Sequence, residues 1–273
     1  MPTIIDRDAM VRLLAEEFEA LSQMCRNFDE AAWLTPTCLP GWSVKDQLSH
    51  LGGTEQMLAG EPPPSIEVPD VPYLHNDVGR ANERWVQANR ARPGADVLAG
   101  FEAVTGERIA ALSAMTQADF DEPSWTPVGR NETYGRFMRV RHYDCFLHEH
   151  DIRQALALPD RDDPAHVTSA LEETATALGY IVGRKAAMPS GSSVRIRLTG
   201  SVEVAYLVRV GERAEVVERL DGEPTAGITL PEMLFLRLTG GRTEAAGHLG
   251  KDILLEGDVA LAERLAANLA YTI

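Results

Sequence analysis

In the stretch from Arg136 to Leu158, RFMRVRHYDCFLHEHDIRQALAL, the side chains that a helix would turn inward include groups that do chemistry. With Phe137 taken as inward, the helical repeat carries the same face through Arg141, Asp144, His148, Ile152 and Ala155. Burying a carboxylate or an imidazole without a partner costs several kcal/mol. Asp144 and His148 stand four residues apart, one above the other on a helix, a spacing that suits a shared metal ion. The competing reading of that spacing is a simple hydrogen-bonded Asp–His couple. A metal needs a third ligand. His50, on another helix whose apolar face must also point inward, is the best candidate, because one divalent cation would let three polar groups be buried together.

The neighbours sort by position on the same helix. Asp151 lies three residues beyond His148 on the same side, where it can orient the imidazole from behind. Arg141 is expected to pair with Asp144 or Asp151, and Cys145 to act as a small buried hydrophobe. His142, Glu149 and His150 point away from the stripe and read as a solvated face, with Glu149 pairing across one turn to Arg153.

Amphipathic helices must position these groups. Met10, Leu13, Leu14, Phe18, Leu21, Cys25 and Phe28 recur at three- and four-residue steps. After the turn LPGW, Ser43 is a candidate N-cap with Asp46 three residues on, followed by Val44, Leu48, Leu51 and Leu58 on one face of the helix that carries His50. The proline-rich GEPPPSIEVPDVP, 60–72, predicts a surface loop. Helical periodicity returns over 77–91 and 96–115, then over 136–158.

The pattern changes at LPDRDDPAH, 158–166, which reads as a domain linker. Beyond it the sequence predicts one more helix over roughly 167–187, then period-two alternation through Val194, Ile196 and Leu198 and through Val204, Tyr206, Val208 and Val210. A hairpin is expected at Gly211 and Glu212, a helix beginning at Pro231 and stopping near Gly240, and a last strand leading into a helix capped by Asp258. The predicted class is α+β: a helical bundle over 1–160 and a smaller α+β domain with a largely antiparallel sheet over 161–273.

Composition excludes several functions. The 273 residues are 44% hydrophobic, and 41 acidic against 26 basic side chains give a formal net charge of −15, which repels a phosphate backbone and argues against a nucleic-acid partner. No apolar run approaches the roughly 18 residues of a membrane span, and the N-terminus has no basic stretch before an apolar core, so no membrane partner and a cytoplasmic location are expected. Cys25, Cys38 and Cys145 are widely spaced and odd in number, which fits a reducing compartment.

Three stretches carry a resemblance. TCLPGWSVKDQLSHLGGTE resembles the second-helix signature of the mycothiol-dependent maleylpyruvate isomerase family, within the DinB-like metal-binding four-helix bundles. YDCFLHEHDIRQAL looks like that family's ligand helix, in which an acidic residue precedes a histidine by four. PTAGITLPEMLFLRLTGGR with ILLEGDVALAERL is similar to the family's sterol-carrier-protein-like C-terminal domain. The resemblance implies that His50, Asp144 and His148 take the three metal-ligand positions, with zinc or another divalent ion and with mycothiol or a similar thiol as cosubstrate. The family's isomerase is expected to carry Glu where this chain has Asp144, one methylene shorter.

A divalent ion with three protein ligands keeps an open position that can lower the pKa of a bound water or thiol. The resemblance implies that the thiol adds to a conjugated double bond, the resulting single bond rotates, and elimination gives the other geometric isomer; a thiol that stays attached makes the enzyme an S-transferase. The partners expected are therefore a small electrophile and a thiol, acting on a monomer or homodimer. Arg237 and Arg242 are candidates for binding an anionic substrate. The alternative is a non-catalytic metal-containing protein that binds a small molecule or lipid, whose structural zinc would be closed by a fourth protein ligand.

Overall fold

The helices begin and end where local chemistry directs them. In a computed structural model that describes residues 2–127 and 129–272, α1 (Arg7–Cys25) is capped by Asp6. A short α2 (Glu30–Trp33), capped by Asp29, precedes α3 (Val44–Leu58). The α3 start is the expected capping box: the Ser43 side chain accepts from the Asp46 amide, and the Asp46 carboxylate accepts from the Ser43 amide at 2.8 Å. The segment 61–71 forms no regular element, as its prolines require. Then come α4 (Asp77–Asn89), α5 (Gly94–Ala114), α6 (Gln117–Asp121), an antiparallel hairpin of β1 (Pro123–Thr126) and β2 (Gly129–Thr133), and α7 (Tyr134–Ala155), capped by Thr133. Neither α2, α6 nor the hairpin follows from hydrophobic period, since each is too short to show one.

α1 packs on α5 and α7, and α3 packs on the same two helices, closing a four-helix bundle with α4 laid along the outside of α3. Leu14, Phe18, Leu48, Leu51, Phe101 and Ile152 are among the side chains that fill its centre. The α3–α4 contact depends on Gly53: a Cβ there would lie 2.3 Å from Trp85 Cγ, so the indole lies against bare backbone. Gly53→Ala is expected to destabilise this unit by about 1–3 kcal/mol, the range for overpacking. A denaturant midpoint unchanged from wild type would contradict that packing.

The chain divides into two compact units, residues up to Arg161 and from Asp162 onward. In the second, α8 (Pro164–Ala175) has Asp163 as N-cap and Pro164 in its first turn. The single helix expected to about residue 187 is instead interrupted: α9 (Leu178–Tyr180) follows a break and runs into a π-helical turn at Ile181–Lys185. The Thr176 hydroxyl donates to the Glu173 carbonyl at 2.7 Å, and a Cβ on Gly179 would meet the Ala214 carbonyl oxygen at 2.7 Å. Close approach to a strand, which periodicity does not encode, bends this segment.

The strands β3 (Ser193–Thr199), β4 (Val204–Val210), β5 (Ala214–Val217), β6 (Ala226–Pro231) and β7 (Leu254–Gly257) form one sheet in the order β5-β4-β3-β6-β7. Every neighbouring pair is antiparallel except β3 with β6. Val194, Ile196 and Leu198 turn to the buried face together, as their alternation requires. Pro231 ends β6 and caps α10 (Glu232–Thr239) rather than opening it, Gly240 closes that helix, and Asp258 caps α11 (Val259–Ala267). The architecture is the α+β arrangement expected, a helical bundle followed by a smaller domain with a largely antiparallel sheet.

Candidate metal centre

The capping box starts α3 so that Gln47 and His50 reach toward α7, and α7 presents Asp144 and His148 one turn apart. His50 Nε2 lies 3.2 Å from Asp144 Oδ2, and His148 Nε2 lies 3.4 Å from Asp144 Oδ1. One ligand atom from each of the three residues falls within 4.8 Å of the other two. Two atoms each about 2.0–2.1 Å from a tetrahedral zinc ion stand roughly 3.4 Å apart, close to the two histidine–aspartate separations, so the residue types and these spacings fit such an ion. Among the described residues, no fourth His, Cys, Asp or Glu joins the cluster.

The surroundings select the protonation states a metal requires. His148 Nδ1 meets Gln47 Oε1 and lies 3.5 Å from Asp151 Oδ2, so the ring is anchored from behind through Nδ1 and Nε2 is the atom it presents toward Asp144. Burial lowers the His50 pKa despite the raising pull of Asp144, which favours the neutral imidazole. Its Nδ1 is buried without a hydrogen-bond partner. For Asp144, burial favours the neutral acid, but His50, His148 and Arg141 together hold the carboxyl well below its ordinary range. The side chain of Asp144 keeps 31% of its exposure, and those of both histidines about 5–6%, so the cluster opens on the carboxylate side.

Trp42, from the LPGW turn, roofs the two imidazoles, its ring centroid 5.3 Å from that of His50 and 6.1 Å from that of His148. Its indole N–H donates to Glu83 Oε2 on α4 at 2.8 Å, which fixes the ring. Arg141 donates to Asp144, as one of its two expected pairings, and also to Glu55. Sequence reasoning passed over Trp42, Gln47 and Glu55. The signal for Gln47 was its place three residues before His50 on one helical face; for Trp42 and Glu55 there was none, since their partners come from elsewhere in the bundle.

The solvated face is a correction. His142, Glu149 and His150 are all buried. The chain after α7 folds back, so that Arg161 Nη2 donates to Glu149 Oε2 at 2.7 Å and also pairs with Glu17 of α1. Arg153 Nε donates to Glu149 Oε1 at 2.7 Å, the one part of the reading that holds. His150 Nδ1 donates to the Phe146 carbonyl at 2.7 Å while its Nε2 accepts the Arg161 amide at 3.3 Å. Burial opposes the charge of Glu149, but the hydrogen bonds and charge of Arg161 bring its pKa down to about 2.

Cys25, Cys38 and Cys145 form no disulfide. Burial pushes the Cys25 thiol up to about 12 and that of Cys145 well above its ordinary value. Cys38 is exposed, with its thiol 3.2 Å from Asp151 Oδ1. Iodoacetamide is expected to modify Cys38 in the native protein and to leave Cys25 and Cys145 unmodified until denaturation, as peptide mass mapping will show. Arg237 and Arg242 belong to the second unit, Arg237 half-buried on α10 and Arg242 donating to the Gly240 carbonyl at 2.7 Å.

The chain joins a helical bundle that carries a two-histidine, one-aspartate cluster to a small α+β unit. Residues 14–153 match the mycothiol maleylpyruvate isomerase N-terminal domain, and residues 168–264 match the C-terminal domain of the same proteins. The chain belongs to the mycothiol-dependent maleylpyruvate isomerase family. Its fold is similar to the crystal structure of a mycothiol-dependent maleylpyruvate isomerase, with a TM-score of 0.60 and 14% identity over 95% of this chain and 98% of that one. A histidine-to-alanine mutant of that isomerase superposes with a TM-score of 0.59 and 13% identity over the same shares. Among curated proteins none matches the chain. Among the described residues no helix is long and apolar enough to cross a membrane.

Proposed function

We propose that this chain is a cytoplasmic enzyme that uses zinc and a low-molecular-weight thiol, mycothiol or one like it, to attack a small electrophile, as a cis–trans isomerase or an S-transferase. The observation that carries the reading is that His50 Nε2 and His148 Nε2 lie 3.2 and 3.4 Å from the two oxygens of Asp144 in a bundle of this family. His50, Asp144 and His148 would hold a divalent ion, which would lower the pKa of a thiol brought to it. The chain's own residues do the rest. Gln47 and Asp151 hold the Nδ1 proton of His148, Arg141 keeps Asp144 ionised, and Trp42 covers the imidazoles so that access is left beside Asp144. Two imidazoles and one carboxylate around a dication would leave one positive charge, which would favour an anionic sulfur.

The thiolate sulfur forms a bond to the β-carbon of a conjugated carbonyl compound, and the double-bond electron pair moves onto the carbonyl oxygen. Rotation about the new single bond and expulsion of the same thiolate give the isomer; protonation of the α-carbon instead leaves the thioether of a transferase. For an anionic electrophile, Arg237 and Arg242 are the proposed recognition groups, supported by their charge and by their place in a stretch similar to the family's C-terminal domain. The test is turnover of maleylpyruvate and simpler conjugated acids, with and without mycothiol, on metal-loaded and chelated protein. Turnover should require both thiol and metal. Arg237→Ala or Arg242→Ala should raise KM at least about 10-fold for the anionic substrate at full metal content. Fully loaded protein that consumes no thiol-dependent electrophile would end this reading.

A further inference from the structure

Behind Asp144, three helices bury a line of alternating charges. Glu55 of α3, 2% exposed, accepts Arg108 Nε of α5 at Oε2 and Arg141 Nε of α7 at Oε1, each at 3.0 Å. Arg141 Nη1 in turn donates to Asp144 Oδ2, the same oxygen that lies 3.2 Å from His50 Nε2. Arg108 Nη2 donates onward to the Tyr134 hydroxyl at 3.0 Å. Arg108 and Arg141 are buried as well.

An arginine on a carboxylate that must hold a cation is an electrostatic liability. Its guanidinium competes with the ion for a lone pair of Oδ2, and its charge repels the ion at a site where low dielectric magnifies both effects. The same arginine fixes the carboxylate in place and keeps it ionised. The balance turns on what holds Arg141. The Nε edge of its fork is occupied by Glu55, and Glu55 is clamped from its other oxygen by Arg108, so that the guanidinium is restrained to its contact through Nη1.

We propose that Glu55, anchored by Arg108, is a positioning residue of the metal centre: it restrains Arg141 and offsets its charge, so that Asp144 is oriented by the guanidinium yet remains available to a divalent ion. This rests on reading His50, Asp144 and His148 as the ligand set. Loss of Glu55 turns the undivided charge of Arg141 on Asp144 and weakens cation binding. It acts from behind a ligand, where such partners contribute 10–100-fold to metal affinity.

The test measures zinc and cobalt dissociation constants by competition with a chromophoric chelator, on the full chain, at a temperature where circular dichroism shows each variant folded. Glu55→Gln should weaken binding by about 10-fold or more and alter the visible absorption of the cobalt form, because the carboxylate ligand changes its pose. Glu55→Gln also leaves two buried arginines short of a partner, so Glu55→Gln/Arg108→Gln is made alongside it. The double variant removes one charge of each sign and should regain denaturant resistance over the single, while its metal affinity and cobalt spectrum stay perturbed, since Arg141 still lacks its restraint. Affinity within about threefold of wild type in Glu55→Gln, or full recovery in the double variant, overturns the positioning role. Wild-type protein that takes up neither metal removes the ligand set itself, a failure distinct from either of these.

Discussion

Wild-type protein loaded with zinc and desalted is expected to retain one ion per chain, and His50→Ala or His148→Ala to bind it more than about 100-fold more weakly. The magnitude follows from position: groups that only orient a ligand contribute 10–100-fold, and removing a ligand itself must cost more. Without an ion, ligand atoms of two imidazoles and of Asp144 crowd within 4.8 Å of one another, an arrangement that a dication stabilises and that a simple hydrogen-bonded couple does not need, since His50 would then be superfluous. Mass spectrometry under non-denaturing conditions reads the stoichiometry. Cobalt adds a second readout, because Trp42 lies against both imidazoles and its emission should be quenched on loading. Equal metal content in wild type and both alanine variants would remove the site.

The second large effect concerns stability. Glu149→Ala should destabilise the helical unit by about 3–5 kcal/mol, the cost of breaking a buried ion pair by deleting one partner. Glu149 is fully buried and accepts from Arg153 and from two nitrogens of Arg161, which fastens the chain leaving α7 back onto the bundle. Denaturant unfolding followed by tryptophan emission isolates this unit, because the chain's four tryptophans, Trp33, Trp42, Trp85 and Trp125, all precede Arg161. A change under 1 kcal/mol would show that Glu149 is solvated, as its helical position alone suggested.

Much of the frame was legible because it is local. Apolar side chains at three- and four-residue steps in α1, the Ser43–Asp46 capping box, the prolines of 60–72 and the alternation of β3 and β4 each act within a few residues, and each stands where expected. Elements too short for a period, such as the β1–β2 hairpin, escaped, and so did the π-helical end of α9, whose shape answers to Ala214 across the unit.

For the candidate site the division is similar. The sequence by itself set Asp144 and His148 on one helical face and put Asp151 and Arg141 within a turn of them, because a helix has a fixed rise and twist. Only the tertiary structure brought His50 across from α3, laid Trp42 over the rings, placed Glu55 between two arginines and buried Glu149 under Arg161. The polar contacts among these join residues 12 to 94 positions apart in the chain. No periodicity spans such distances; they are decided by how whole helices pack, and packing is determined by the combined shape of many side chains rather than by the spacing of a few.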